Sequence, residues 1–172
     1  MANVKKSGAS SEGPKELRVG LLGFGTVGQG VAQILNENAS LMEHRAGRPV
    51  KIVRALVRNK RKRRGLDGVE LTTKPQDIVG APDIDVVVEL MGGLEPATSL
   101  MREALDAGQP VVTANKAVIA KSGSALMKVA ARRGVRLSFE AAVAGGVPII
   151  RSQALSEAPD NRNTTGHGGF ET

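Results

Sequence analysis

Apolar positions along the chain fall into short continuous runs, separated by stretches in which apolar residues recur with helical spacing. We predict strands in five of these runs, at residues 17–22, 50–57, 84–90, 110–113 and 135–139. The VVVEL run at 86–90 is apolar at successive rather than alternate positions, which is typical of a strand covered on both faces of a parallel sheet.

The intervening stretches predict helices. The first would bury one face made of four apolar residues: Val27, Val31, Ile34 and Leu35. Residues 94–107 have Pro96 near their start and Gly108 after their end, and residues 122–133 are followed by Gly134. Strands that alternate with helices predict an α/β fold with a doubly wound, mostly parallel sheet of the Rossmann type in a single domain.

Both ends of the chain lack this patterning. We expect residues 1–16 to be a disordered tail without the apolar core of a secretory signal. Residues 152–172 are predicted to be an irregular tail, which leaves 17–151 as the folded domain. No apolar run approaches the ~20 residues of a membrane span, so we expect no membrane partner and a cytoplasmic location.

Composition excludes several kinds of chemistry. Among 172 residues there is no Cys, which excludes disulfides, thiolate nucleophiles and Cys-ligated metals. Three Phe and no Tyr or Trp are too few for a base-stacking platform. The net charge of +7 is local, because seven of the 24 basic residues lie within 54–64 and the other 17 balance 17 acids. A nucleic-acid partner is therefore not expected.

The first predicted strand runs directly into a glycine loop, GFGTVG at residues 23–28. In this strand–loop–helix context, G-x-G-x-x-G is typical of dinucleotide binding. Gly23 would permit the tight turn, Gly25 would let a pyrophosphate approach the backbone, and Gly28 would let the helix pack against the strand. The alternative is a glycine-rich turn with no ligand.

The end of the second strand indicates which dinucleotide is bound. NAD sites place an acid ~20 residues after the glycines, where it holds the ribose 2′-hydroxyl. Here the strand is followed by Arg58, with Lys60 and Arg61 close behind and no acid before Asp67. A guanidinium can grip a 2′-phosphate, so we predict NADP in preference to NAD. The alternative for this segment is a solvated basic loop, which we favour for residues 62–64.

Three further segments are more specific than the glycine loop. They are VELMGG at 88–93, VVTANKA at 111–117 and FEAAVAGGVPII at 139–150. With GFGTVGQGV at 23–31, they closely resemble the cofactor-binding half of homoserine dehydrogenase over residues 17–151. That family interconverts aspartate 4-semialdehyde and homoserine with NAD(P)H, in threonine, methionine and isoleucine biosynthesis.

The resemblance implies roles for individual residues. It implies that Phe24, Thr26 and Val27 border the cofactor phosphates. It also implies that Gly92 and Gly93 let the chain pass close to the cofactor. It places Lys116 near the nicotinamide and the substrate. A lysine in a loop after a parallel strand would also lie at the ligand-binding edge of the sheet, although it could be a plain surface residue. A monovalent cation, usually sodium, is assigned to backbone oxygens of four residues: Glu140, Val143, Gly145 and Val147. Glu140 could instead cap backbone amides.

After Arg151 the resemblance ends. The family continues with a substrate and dimerisation region that carries the main proton-donor lysine, and we expect no counterpart of it in residues 152–172. We therefore expect the cofactor-binding half of a homo-oligomeric oxidoreductase, inactive alone, with a small-molecule substrate in the whole enzyme. A stand-alone dinucleotide-binding module without turnover is the alternative, and a regulatory protein that uses the basic segment is a third.

Overall fold

The computed structural model describes residues 15–60 and 68–139. Six strands and four helices follow one another along this part of the chain. In order they are β1 (Leu17–Leu22), α1 (Thr26–Glu37), α2 (Ala39–Ala46), β2 (Val50–Leu56), β3 (Glu70–Thr72), β4 (Val86–Glu89), α3 (Ala97–Asp106), β5 (Val111–Thr113), α4 (Lys116–Arg133) and β6 (Leu137–Phe139). A 3₁₀ turn at Pro75–Asp77 separates β3 from β4.

The strands form one sheet in the order β3-β2-β1-β4-β5-β6, and every neighbouring pair is parallel. This arrangement confirms the predicted α/β fold with a doubly wound parallel sheet. The chain moves outward from β1 to β3, then returns and continues from β4 to β6 on the other side. The direction of travel therefore reverses between β1 and β4.

Two apolar clusters cover the two faces of the sheet. Val19, Leu21 and Phe24 pack with Ala32 of α1 on one face. On the other face, Leu22 and Val87 pack against the apolar sides of α3 and α4. Because successive residues of β1 enter opposite clusters, the continuous apolar runs are explained by burial on both faces.

The buried face of α1 differs from the prediction. Gly28 and Ala32 are the buried residues of this helix, whereas Val27 and Ile34 are 59% and 55% exposed. Small residues at the contact let the helix backbone approach the sheet closely, and Val27 and Ile34 are left on the outer side, whereas Leu35 packs against the cluster as predicted. Apolar spacing located the helix, but it assigned Val27 and Ile34 to the wrong face.

Three further elements differ from the prediction, and the first is the helix α2, which no apolar pattern indicated. β3 was not predicted from its three residues, ELT, yet it pairs with β2 from Arg54 to Leu56. α4 begins at Lys116 rather than at 122, because the Asn115 side chain accepts a hydrogen bond from the Val118 N–H and caps the helix six residues earlier. Across residues 15–60 and 68–139, no helix has both the length and the apolar character of a membrane span.

Candidate functional site

The sheet brings four chain segments to one edge. Because all strands are parallel, the loops that follow β1, β2, β4 and β5 leave the sheet on the same side. The point between β1 and β4, where the direction of travel reverses, opens a crevice outside the carboxyl ends of these strands. Ligands of open α/β sheets bind at such a point.

The glycine loop crosses this crevice immediately after β1. Gly23 has a φ of +107°, which L side chains rarely adopt. A Cβ added there would also lie 3.1 Å from the Leu90 carbonyl oxygen and 3.0 Å from the Met91 Cγ. The predicted tight turn at Gly23 is thus confirmed, and the loop touches the segment that follows β4.

Gly28 confirms the predicted close packing of α1. A Cβ added at Gly28 would lie 2.5 Å from the Gly23 carbonyl oxygen, a separation that real Cβ atoms essentially never show. Only a glycine therefore allows the first turn of α1 to sit this close to the loop. A Cβ added at Gly25, in contrast, meets nothing within 4 Å among the described residues, and Gly25 itself is exposed.

The start of α1 is open toward the crevice. In the described part of the chain, no side chain caps the helix at Gly25, and no acid lies in its first turn. The N–H groups at such a helix start have no intrahelical partner, and the helix dipole places partial positive charge there. The arrangement suits an anion.

The side chains around the glycine loop lie on different sides. Thr26 and Val27 are exposed at the start of α1, beside the opening. Phe24 as a whole is 2% exposed and belongs to the core cluster with Val19 and Ala32. Its side chain therefore serves the core.

The loop after β4 contains two consecutive glycines in left-handed conformation. Gly92 and Gly93 have φ values of +73° and +76°, and both are exposed. A Cβ added at Gly92 would meet nothing within 4 Å in the described residues. Their glycine identity thus follows from the backbone conformation as well as from any close approach of a ligand.

A buried hydrogen-bond network connects this loop to β5. Glu89, at the end of β4, is fully buried and accepts hydrogen bonds from the Thr113 hydroxyl at 2.6 Å and the Met91 N–H at 2.7 Å. The Thr113 hydroxyl oxygen accepts the Asn115 N–H at 2.9 Å. The Asn115 side-chain amide then donates to the Gly93 carbonyl oxygen at 2.7 Å. No local pattern in the sequence indicated this network.

Lys116 is the first residue of α4 and is exposed. It was predicted to lie in a loop, but the cap made by Asn115 places it inside the helix. The carboxyl-edge location is nevertheless correct, because Lys116 follows β5 by three residues. The hydrogen bonds of Asn115 hold the backbone at the start of α4, where the Lys116 side chain is attached.

The basic segment after β2 divides into two parts. Arg58 and Lys60 are exposed beyond the carboxyl end of β2, at the edge that carries the glycine loop. Arg54 is part of the same basic stretch of the sequence, but its side chain has another role. Its guanidinium donates to the Glu70 carboxylate at 2.9 Å and to the Asp83 carboxylate at 3.3 Å. It is a structural residue between β2, β3 and the segment before β4.

Asp83 joins Arg54 to Arg18, whose guanidinium lies 3.2 Å from the same carboxylate. Partial burial opposes ionisation of Asp83, but hydrogen bonds from Arg54 and Arg18 outweigh it, so the pKa of Asp83 is below its usual value. These groups lie away from the crevice and do not contribute to it.

Comparison with known proteins places the chain in a family. The family model for the homoserine dehydrogenase NAD-binding domain matches residues 23–140. The chain belongs to this family. The match covers the glycine loop, the Gly92–Gly93 loop and Lys116, all at the carboxyl edge of the sheet.

Comparison with individual homoserine dehydrogenases shows what share of their length this chain covers. The enzyme from Bacillus subtilis is 44% identical over 140 residues, which are 80% of this chain and 32% of the relative. The one from Pseudomonas aeruginosa is 41% identical, with the same two coverages. A solved homoserine dehydrogenase from Thiobacillus denitrificans is 52% identical and superposes with a TM-score of 0.73. The match covers 80% of this chain and 32% of that structure. The chain thus spans about a third of these relatives.

Several residues singled out in the sequence lie outside the described residues. They are Arg61, residues 62–64 and the four assigned to a monovalent cation, Glu140, Val143, Gly145 and Val147. Residues 1–14 of the predicted tail at 1–16 and the whole predicted tail at 152–172 are outside as well. Within residues 15–60 and 68–139, no group of three His, Asp or Glu residues is placed to hold a metal ion.

Proposed function

We propose that this chain is the NADP-binding half of a homoserine dehydrogenase, with residues 17–151 as its cofactor domain. The observation that carries the proposal is the shared crevice at the carboxyl ends of β1, β4 and β5. There the uncapped start of α1 faces open space at Gly25, and the Gly92–Gly93 loop lies alongside. The names of the relatives support the reaction, oxidation of L-homoserine to L-aspartate 4-semialdehyde or its reverse.

The described residues fit a dinucleotide. The first N–H groups of α1 would hold the pyrophosphate, because they lack intrahelical partners and the space beside Gly25 is empty. The Gly92–Gly93 loop would border the other half of the cofactor. When bound, the reduced cofactor supplies a hydride to the aldehyde carbon.

Arg58 supports a preference for NADP. It is exposed and lies two residues beyond the carboxyl end of β2, where an NAD site carries an acid. A guanidinium forms paired, charge-assisted hydrogen bonds with a phosphate. Lys60, also exposed, would add positive charge.

Replacing Arg58 with Ala should weaken NADPH binding by ~1.5–3 kcal/mol, the range for a hydrogen bond to a charged group. NADH lacks the 2′-phosphate, so its affinity should hardly change. Titration of cofactor fluorescence measures both affinities.

Lys51→Ala is the matched control for Arg58→Ala. Lys51 is exposed at the amino end of the same strand, so its removal changes the net charge equally without touching the crevice. Its NADPH affinity should stay near that of the parent chain. Equal losses for NADPH and NADH in Arg58→Ala would remove the 2′-phosphate role.

Lys116 supports a role near the substrate. A cation at the first position of a helix is disfavoured by the helix dipole, typically by ~0.3–1 kcal/mol. The sequence retains one here, at the edge where ligands bind. Its ammonium group would attract the oxygen on which negative charge develops during reduction, as an auxiliary to the family's main proton donor.

The resemblance also supports a monovalent cation, most simply sodium, held by backbone oxygens of Glu140, Val143, Gly145 and Val147. It further supports a homo-oligomeric enzyme of amino-acid biosynthesis in the cytoplasm, with no nucleic-acid or membrane partner. These parts of the proposal rest on the family alone.

The 172-residue chain by itself should bind NADPH without reducing aspartate semialdehyde at a measurable rate. Positioning of reactants accounts for ~7–11 kcal/mol of a barrier, and among the catalytic lysines of the family only Lys116 has a match here. The measurement is the loss of the absorbance of the reduced nicotinamide as NADPH is oxidised. Steady turnover by chain free of host enzyme would show that the substrate site is present.

A further inference from the structure

Two polar side chains lie in the core beneath the crevice without an assigned role. Glu89 and Thr113 end the neighbouring strands β4 and β5, and they are 0% and 2% exposed. The Thr113 hydroxyl donates to a Glu89 carboxylate oxygen at 2.6 Å. In the described residues no basic side chain forms an ion pair with Glu89, so its hydrogen bonds alone compensate its burial.

This pair holds two loops through its remaining hydrogen bonds. The second oxygen of Glu89 accepts the Met91 N–H, which leads into the Gly92–Gly93 loop. The Thr113 hydroxyl oxygen accepts the Asn115 N–H at the start of α4. The Asn115 side chain links the two loops directly, because it donates to the Gly93 carbonyl oxygen at 2.7 Å. The buried Glu89–Thr113 contact and the Asn115–Gly93 hydrogen bond therefore hold the two loops together.

The sheet divides the cofactor between its two halves. In a doubly wound fold, one mononucleotide unit lies over the β1–β2–β3 half and the other lies over the β4–β5–β6 half. Arg58 follows β2, so the adenosine 2′-phosphate would belong to the first half. The nicotinamide half then falls on the loops after β4 and β5.

We propose that Glu89 and Thr113 are positioning residues for the nicotinamide half of the cofactor. They set the Gly92–Gly93 loop and Asn115 in the geometry this half requires, and they have no part in holding the adenosine half. The inference rests on the proposed function, because it assumes that a dinucleotide occupies the crevice.

Thr113→Val tests the inference, because it keeps the shape of the side chain and removes the hydroxyl. NADPH should bind about tenfold more weakly, while adenosine 2′,5′-bisphosphate, which lacks the nicotinamide half, should stay within about twofold of the parent chain. Thr113→Ser restores the hydroxyl and should recover NADPH affinity. A role in general stability alone would not separate the two ligands.

Thr72 provides a matched control. It is 1% exposed at the end of β3, its hydroxyl donates to the Asp77 carboxylate, and it accepts the Lys74 N–H at 3.0 Å. The same motif thus occurs in β3, which three strands separate from β5, on the adenosine side of the sheet. Thr72→Val should leave the ratio of the two affinities unchanged.

A second variant keeps the test decisive if Thr113→Val fails to fold. Asn115→Ser retains a hydroxyl that can cap α4 but is too short to reach the Gly93 carbonyl, and it should also weaken NADPH selectively. Equal effects on both ligands, or no effect on either, would overturn the inference while leaving the proposed function intact. A parent chain that binds neither ligand would instead remove the proposed function.

Discussion

Gly25→Val should abolish NADPH binding and leave the fold intact. A Cβ at this position points into open space beside the first turn of α1, and the Gly25 φ of −82° suits any L residue. The branched side chain would fill the path by which a pyrophosphate reaches the N–H groups of α1. Loss of two hydrogen bonds to a charged phosphate, at ~1.5–3 kcal/mol each, should weaken binding about a hundredfold or more and take it out of the measurable range.

The fold should be affected far less by Gly25→Val. Val is a poorer N-cap than Gly, at a cost of about 1 kcal/mol, which lowers Tm by roughly 2–4 °C in a chain of this size. Gly30→Val is the matched control, because Gly30 lies in the same helix and its Cβ also meets nothing within 4 Å in the described residues. That variant should bind NADPH normally. Undiminished NADPH binding by folded Gly25→Val would contradict the assignment of the loop.

Gly28→Val should produce the opposite result and damage the fold. Its Cβ would lie 2.5 Å from the Gly23 carbonyl oxygen and 3.4 Å from the Phe24 ring. Because the nearest atom is backbone, relief requires α1 to move away from β1. Overpacking of this kind costs ~1–3 kcal/mol, and the added methyl groups of Val place it at the upper end. Thermal unfolding should show a Tm lower by about 6–12 °C.

A pair of alanine variants tests the reason for this loss. Gly28→Ala should still destabilise the chain, whereas Gly30→Ala should stabilise it by ~0.5–1 kcal/mol, since Ala is favoured over Gly inside a helix. The opposite signs within one helix would establish close packing as the cause. Two stabilising alanine variants would show that α1 does not approach the loop as closely as the structure has it.

The sequence predicted the parts of the fold that local patterning encodes. Continuous apolar runs marked five of the six described strands, and Gly108 and Gly134 marked two helix ends that the structure reproduces with φ values of +82° and +67°. β3 was not predicted because its three residues are too few to show an alternation of apolar and polar positions, and the strand depends on its pairing with β2. The buried face of α1 was misassigned because close approach selects small residues, which apolar spacing does not count.

The parts of the candidate site that consist of contiguous residues could be predicted from the sequence. The glycine loop and the resemblance around Lys116 come from contiguous residues. The Glu89–Thr113 pair was not predictable in this way, because its two residues are 24 positions apart in the sequence. In addition, Glu89 lies in the apolar run VVVEL, which was interpreted only as a strand. Likewise, charge alone grouped Arg54 with Arg58, because the position of Asp83 beside β2 is set by the order of the strands.

Equilibrium titration of the parent chain with NADPH and with NADH is the most direct test of its assignment as an NADP-binding domain. We expect saturable binding of one NADPH per chain, with NADPH bound about ten- to a hundredfold more tightly than NADH through Arg58. Folding is checked on the same sample by circular dichroism. A folded chain that binds neither cofactor, or that binds NADH as tightly as NADPH, would contradict the account.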